Sequence, residues 1–153
     1  MLGFLGRFDY SVDAKGRLNI PAKFRKCLTP DADDTFIIVP APNGCLRAYP
    51  QNEWVKEEET LSRLPQTLDN IRLIRMIRDA ASDSRLDSQG RIMLNRTQLD
   101  ASAINDSVVL VGSNRFIEIW DTARYNGYRG ENWQTELDQL YQKSVEGSAG
   151  RQQ

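Results

Sequence analysis

The chain repeats one five-residue pattern, Asp13-Ala-Lys-Gly-Arg17 near its start and Asp87-Ser-Gln-Gly-Arg91 past its middle, 74 residues later. Apolar residues follow each copy at alternating positions, which is typical of a short half-buried strand. Each copy then leads to an apolar run, a turn and a second apolar run that ends in an aromatic residue. These runs are 36–39 with 46–49, and 108–111 with 116–120. The chain therefore contains an internal repeat.

The five-residue pattern has a local physical interpretation. Its first residue, Asp13 or Asp87, can accept a hydrogen bond from the backbone two residues on and so begin a turn. Its glycine tolerates a positive φ, and the flanking strands make the pattern typical of a tight hairpin turn. One copy alone is explained by a β-turn with an Asp–Arg surface pair. Two copies, each in a basic segment, favour a repeated contact surface.

The two repeats share the predicted plan β-β-α-β-β, and the helices between and after them make the fold class α+β. In the first repeat, the predicted strands and helix cover 4–12, 18–20, 22–28, 36–39 and 45–49, with a hairpin turn at Asn43-Gly44. In the second repeat they cover 85–94, 97–104 and 108–120. The predicted divisions are a first domain over 5–54, a helical connector over 55–80, a second domain over 81–125 and a C-terminal helix and tail over 126–153.

Two helical stretches lie outside the repeats. The connector carries Arg72, Arg75 and Arg78 at every third position, which indicates a solvated face, a subunit contact or a stripe facing DNA. Aromatic and leucine residues at helical spacing predict an amphipathic helix over 131–143, followed by a frayed tail over 144–153.

Length and composition limit the class of protein. A repeat of about 45 residues is too small to bury much core alone, so the repeats must share a core, intertwine or pack on other subunits. The composition, 40% hydrophobic and 27% charged, is that of a soluble globular protein. No apolar run reaches membrane-span length, and the start of the chain does not resemble a signal peptide. Two cysteines make no disulfide framework, which favours a reducing cytoplasm.

The chain contains no histidine, which removes the Ser-His-Asp and Cys-His catalytic arrangements and histidine ligands for metals. Neither a GxxxxGK[ST] phosphate loop nor a GxGxxG motif is present. We therefore expect no enzyme activity, no cofactor, no metal and no small-molecule substrate.

The charge is distributed in blocks although the total is only −1. Residues 1–30 carry six basic and two acidic side chains, and residues 61–96 carry seven basic and four acidic ones. Both five-residue patterns lie in these basic blocks. A positive field on one face matters more for an anionic partner than the total charge does.

Four stretches together resemble the MraZ family of bacterial transcriptional regulators, which have two tandem SpoVT-AbrB domains. The stretches, in order, are Asp13-Ala-Lys-Gly-Arg-Leu-Asn-Ile-Pro-Ala-Lys-Phe-Arg25, Tyr49-Pro-Gln-Asn-Glu-Trp54, Asp87-Ser-Gln-Gly-Arg91 and Arg115-Phe-Ile-Glu-Ile-Trp120. The resemblance covers about residues 5 to 143. It implies two swapped-hairpin β-barrel units joined by a helical segment.

The resemblance also implies a function and a site. It implies a ring-like homo-oligomer that binds short direct repeats in double-stranded promoter DNA, as a repressor of the division and cell-wall gene cluster that includes its own gene. Such a protein would be cytoplasmic and associated with the nucleoid, with no membrane partner. The implied DNA-binding turn residues are Asp13, Lys15, Gly16, Arg17, Asp87, Gly90 and Arg91, and the basic residues of the first helix add Lys23 and Arg25 as backbone contacts.

The second repeat departs from the family pattern. Gln89 stands at the place of Lys15, Asn95 stands where a proline is expected, and Gln98-Leu99 stands where Leu-Arg is expected. These differences predict weaker phosphate contact by the second repeat and a larger role in holding a ring together. Two alternatives remain open, an antitoxin-like member of the same fold and a structural oligomer that does not bind DNA.

Overall fold

The computed structural model describes residues 2–151, with side chains through residue 148, and it confirms the predicted α+β class. The chain up to Thr122 forms one compact unit, and the residues from Ala123 form a second. The strands are β1 (Arg7–Ser11), β2 (Arg17–Asn19), β3 (Thr35–Ala41), β4 (Cys45–Pro50), β5 (Ser82–Arg85), β6 (Arg91–Met93), β7 (Ser107–Ser113) and β8 (Phe116–Asp121). The helices are α1 (Ala22–Arg25), α2 (Gln51–Ser62), α3 (Leu68–Ala80), α4 (Arg96–Ser102), α5 (Thr122–Arg129) and α6 (Trp133–Arg151).

Strands of both repeats alternate in one antiparallel sheet of the order β1-β7-β8-β4-β3-β5. β1 of the first repeat pairs with β7 of the second, and β5 of the second repeat pairs with β3 of the first. The repeats therefore share one core, which is the first of the three arrangements expected for units of this size.

The sheet is open, because its edge strands β1 and β5 do not pair with each other within residues 2–151. The barrel closure implied for each unit is therefore not found in the described part of the chain. The remaining strands, β2 and β6, are three residues long and pair only with each other, as a separate two-stranded ribbon. This ribbon does not connect the edge strands β1 and β5 of the larger sheet.

The hairpins predicted within 36–49 and 108–120 are present, and their turns use residues that tolerate a positive φ. The hairpins predicted at the two five-residue patterns were wrong, because β1 pairs with β7, β5 pairs with β3, and β2 pairs with β6. Asn43 has a φ of 69° between β3 and β4, and Asn114 has a φ of 63° between β7 and β8. Asparagine tolerates this left-handed region better than most residues. The core is filled from both strands and helices, since Phe36 of β3 and Phe24 of α1 are fully buried. Burying each side chain of this kind contributes about 1.5–3 kcal/mol.

The departures from the family pattern in the second repeat build a polar contact inside the core. Asn95 caps α4 by accepting a hydrogen bond from the Gln98 backbone, and the Gln98 side chain accepts one from the Asn95 backbone. The Gln98 amide nitrogen also donates to the Ser82 hydroxyl at 2.8 Å and lies 3.2 Å from the Ile38 carbonyl oxygen. Gln98 is fully buried, and its contact with the Ile38 carbonyl joins the second repeat to β3 of the first.

The predicted connector forms the helices α2 and α3. Arg72 and Arg75 are exposed on α3, and Arg78 forms an ion pair with Glu58 of α2. No helix within residues 2–151 combines the length and the apolar character needed to cross a membrane.

The unit from Ala123 onward contains α6, which is longer than predicted. The helix continues to Arg151, so the tail prediction was wrong for residues 144–151, while Gln152 and Gln153 lie outside the described residues. Leucine and aromatic side chains are exposed along α6; for example, Leu140 is 63% exposed and Tyr141 is 67% exposed.

Candidate nucleic-acid interface

The first turn is held together by a single carboxylate. Asp13 Oδ1 accepts hydrogen bonds from the backbone N–H groups of Lys15 and Arg17, each at 2.9 Å. Asp13 Oδ2 accepts a third bond from the Nε of Arg17 at 2.6 Å. The aspartate therefore shapes the backbone and orients the arginine with the same side chain, while Lys15 remains exposed.

The second turn repeats this geometry. Asp87 Oδ1 accepts from the backbone of Gln89 and of Arg91 at 2.9 Å, and Asp87 Oδ2 accepts from the Nε of Arg91 at 2.8 Å. The aspartate-initiated turn predicted from the pattern is confirmed in both copies.

These hydrogen bonds lower the pKa of both aspartates. For Asp13 and Asp87 the largest cause is the bond from the backbone N–H of the turn's arginine, and the arginine side chain lowers the pKa further. Hydrogen bonds to a carboxylate favour its charged form. Both turns therefore hold ionised aspartates at neutral pH.

The backbone of each turn glycine is hydrogen-bonded to the other repeat. Gly16 has a φ of 84° and Gly90 a φ of 75°, as the pattern predicts. The Gly16 carbonyl accepts a hydrogen bond from the N–H of Leu94 at 2.8 Å, and the Gly90 carbonyl accepts one from Ile20 at 3.0 Å. The turns therefore lie at opposite ends of the β2–β6 ribbon and close it.

The ribbon has one buried and one exposed face. β2 and β6 are antiparallel with Leu18 opposite Ile92, and these two side chains are 0% and 1% exposed in the core. Directly opposite residues of an antiparallel pair point to the same face, and neighbours along a strand point to opposite faces. The outer face therefore carries the residues on either side of the buried pair, Arg17, Asn19, Arg91 and Met93.

The two basic residues of α1 lie in different places. Arg25 lies against the second turn, where a Cβ added to Gly90 would be 2.9 Å from the guanidinium carbon. The Arg25 Nε also donates to the Ile20 carbonyl oxygen at 3.1 Å. Lys23 extends elsewhere, with its ammonium 3.7 Å from the position of a Cβ at Gly6. The structure thus brings Arg25 to Gly90, so the second turn has a neighbouring cation although Gln89 stands at the place of Lys15.

Sequence reasoning missed Asn19 and Met93 as members of this surface. Their alternation with buried residues is visible in the sequence, but their common face depends on the pairing of β2 with β6. Within residues 2–151, no group of three or more Cys, Asp or Glu side chains is placed to hold a metal ion.

Comparison with known proteins gives a consistent match over most of the chain. Two tandem segments, residues 4–77 and 76–145, match the family described as "MraZ protein, putative antitoxin-like". The sequence is 38% identical to the transcriptional regulator MraZ of Natranaerobius thermophilus over 127 residues, which are 82% of this chain and 86% of the relative. It is 33% identical to the transcriptional regulator MraZ of Desulforamulus reducens over 144 residues, which are 94% of this chain and 98% of the relative.

Proposed function

The chain belongs to the MraZ family, and on that premise we propose that it is a DNA-binding transcriptional regulator that represses the division and cell-wall gene cluster, including its own gene. It binds direct repeats in promoter DNA as a ring-like homo-oligomer and acts in the cytoplasm at the nucleoid. The relatives reported above are named as regulators of transcription, and neither name describes a catalyst.

The paired turns are the observation that carries this proposal. Each turn presents an arginine whose Nε is bound to an aspartate, and this single bond leaves N–H donors on the terminal nitrogens of the guanidinium for a further acceptor. A planar guanidinium held in this way matches the O6 and N7 acceptors of guanine or the oxygens of a phosphate. A two-stranded ribbon also fits the width of the major groove. Arg17 and Arg91 are therefore the proposed base or phosphate contacts.

The other site residues have supporting roles. Asp13 and Asp87 orient the arginines, and Gly16 and Gly90 allow the backbone to approach. Lys15 serves the first turn as a phosphate contact. Arg25 serves the second turn in the same way, since it lies against Gly90. Lys23 contacts the DNA backbone farther from the ribbon. Contacts of this kind position a protein on DNA without reading its sequence.

Self-association compensates for the low total charge. A subunit with a net charge of −1 attracts a single DNA site weakly at physiological salt. Several ribbons on one assembly raise the effective concentration of each further contact. Exposed apolar side chains on α3 offer a surface for contact between copies, since Leu68 is 87% exposed and Met76 is 59% exposed. Closed symmetry would also avoid open filaments.

The antitoxin-like alternative is favoured by one observation, the description of the matching family as antitoxin-like. It requires a segment that covers a toxin, and the exposed apolar side chains of α6 are the available surface for that contact. Removal of α6 from the full chain separates the two functions. The regulator predicts that promoter binding through the ribbon survives, whereas the antitoxin predicts loss of toxin neutralisation.

The site is tested by binding of variants to DNA from the region upstream of the chain's own gene, after footprinting has located the boxes. Arg17→Ala and Arg91→Ala should each cost about 1–3 kcal/mol of specific binding. Arg25→Ala should weaken all sequences alike and reduce the salt slope by about one unit. Arg63→Ala, at an exposed arginine outside the site, is the matched control and should bind like the parent.

The outcomes distinguish a wrong assignment of the site residues from a wrong function. If Arg17→Ala, Arg91→Ala and the double variant all bind promoter DNA like the parent, the site assignment is wrong even though the chain binds DNA. If the parent does not bind the upstream region at moderate salt, the regulator function itself is refuted and the structural oligomer is favoured.

The ring is tested with the spacing of the boxes. Ribbons on one assembly reach consecutive boxes only if those boxes face one side of the duplex, with a spacing near about 10 base pairs. An insertion of about 5 base pairs, half a helical turn, should remove most of the gain in affinity over one box. A full-turn insertion should restore part of it. Equal affinities for one box, phased boxes and shifted boxes would refute multivalent binding.

A further inference from the structure

The outer face of the β2–β6 ribbon is almost symmetric. Since Leu18 lies opposite Ile92 in an antiparallel pair, a pseudo-two-fold axis passes between them and exchanges the two repeats. It exchanges Arg17 with Arg91, which are the same residue type in the same geometry. A ribbon with exact two-fold symmetry would bind a DNA box equally well in either orientation. Rotation of the ribbon about the axis would present the same side chains to the DNA.

Two equivalent positions on this face break the symmetry. The axis places Asn19 where Met93 stands on the other strand, since Asn19 lies opposite Arg91 and Met93 lies opposite Arg17. Both side chains are exposed, Met93 at 45%. The face therefore presents an amide at one end and an apolar side chain at the other, each beside an arginine.

The distance between these groups fits neighbouring base pairs. Residues two apart on a strand are separated by roughly 6.6 Å, and directly opposite Cβ atoms by about 5 Å. Stacked bases are about 3.4 Å apart along each strand of DNA. The four side chains thus span about two base steps, so Asn19 and Met93 lie over the same short stretch of DNA as the arginines.

Their chemistry differs in what it can recognise. An asparagine amide pairs with the N6 and N7 groups of adenine, whereas an apolar side chain contacts the methyl group of thymine. We propose that Asn19 and Met93 set the direction in which each subunit lies along a DNA box, by reading different bases at the two ends of an otherwise symmetric ribbon. The proposal rests on the DNA-binding function proposed above, which it deepens.

The second asymmetric pair, Lys15 and Gln89, does not serve this purpose equally well. Lys15 is an exposed point charge suited to phosphate, and phosphate contacts carry no direct sequence information. At the second turn the missing lysine charge is offset by Arg25 beside Gly90. The two ends of the ribbon are therefore alike in charge and differ mainly at Asn19 and Met93.

The test compares two synthetic duplexes at one salt concentration. Both carry the footprinted boxes at one helical spacing, but in the second duplex every other box is inverted about its centre. The parent should prefer the uniform duplex by about tenfold for each inverted box, the discrimination of one good base contact per subunit. Asn19→Met and Met93→Asn each make the ribbon symmetric and should lose this preference. The double exchange, Asn19→Met with Met93→Asn, should regain it.

The regained preference separates base reading from damage to the fold, because an unfolded or distorted ribbon cannot be rescued by a second substitution on the same face. Val55→Asn is the matched control, since Val55 is a similarly exposed apolar residue on α2, outside the ribbon and the α3 surface. It should keep the preference of the parent.

Three results overturn the proposal while leaving the regulator function intact. These are a parent that binds both duplexes equally, single variants that keep the preference, and a Gln89→Lys variant that loses it while Asn19→Met does not. A parent that binds neither duplex refutes the DNA-binding function instead.

Discussion

Substitution of the two turn glycines by alanine separates the local strain of a turn from its contact with the opposite repeat. Both glycines have a positive φ, so alanine at either position costs about 1–2 kcal/mol of folding free energy. The surroundings differ. A Cβ at Gly16 would clash with the backbone carbonyl oxygen of Leu94, whereas a Cβ at Gly90 would meet the end of the Arg25 side chain at 2.9 Å.

These contacts predict different losses of stability. At Gly16 the obstructing atom belongs to the backbone, so the ribbon must shift and the bond from Leu94 N–H to the Gly16 carbonyl is lost, which costs about 1 kcal/mol more. Gly16→Ala should therefore lose about 2–3 kcal/mol in all. At Gly90 the flexible Arg25 side chain can move aside, so Gly90→Ala should lose only about 1–2 kcal/mol.

Urea unfolding of the full chain at one protein concentration measures both losses. Gly127→Ala is the matched control, because Gly127 lies within α5 and no atom lies within 4 Å of a Cβ there. It should gain about 1 kcal/mol from helix propensity. Gly90→Ala should also weaken DNA binding by moving Arg25. Equal losses at Gly16 and Gly90, or a larger loss at Gly90, would refute the role assigned to the Leu94 carbonyl.

The polar core contact and the turn aspartates give the remaining predictions. Gln98→Leu leaves the buried Ile38 carbonyl oxygen and the half-buried Ser82 hydroxyl without this donor and should cost about 1–3 kcal/mol in urea unfolding, whereas a gain in stability would refute the role of the amide. Asp13 and Asp87 have lowered pKa values, so their stabilisation is complete above the ordinary aspartate pKa of about 3.9 and is lost as pH falls through the lowered values. Carboxyl NMR titrations with midpoints at or above that ordinary value would contradict this. Asp13→Asn keeps an acceptor for the backbone bonds but loses the bond to Arg17 Nε and one negative charge. It should therefore raise affinity for unrelated DNA and lower the ratio of specific to non-specific binding, and an unchanged ratio would show that Asp13 does not orient Arg17.

Local sequence was enough to predict the turns, because every bond that shapes them spans four residues or fewer. The Asp13 carboxylate reaches the Lys15 and Arg17 backbone within its own turn, and the glycine supplies the required φ. The two hairpins were predicted for the same reason, since their turn residues lie between adjacent apolar runs. The family resemblance followed from four such local stretches in order.

The pairing of the strands, in contrast, depends on contacts between residues far apart in the chain. β2 and β6 are three residues long and 74 residues apart at equivalent positions, and neither carries a local signal for its partner. Their pairing depends on burial of Leu18 and Ile92 together in a core that both repeats build. The common face of Asn19 and Met93 follows from that pairing. It could not be read from either repeat alone, because strand register is set by the shared hydrophobic core and not by the residues that the ribbon exposes.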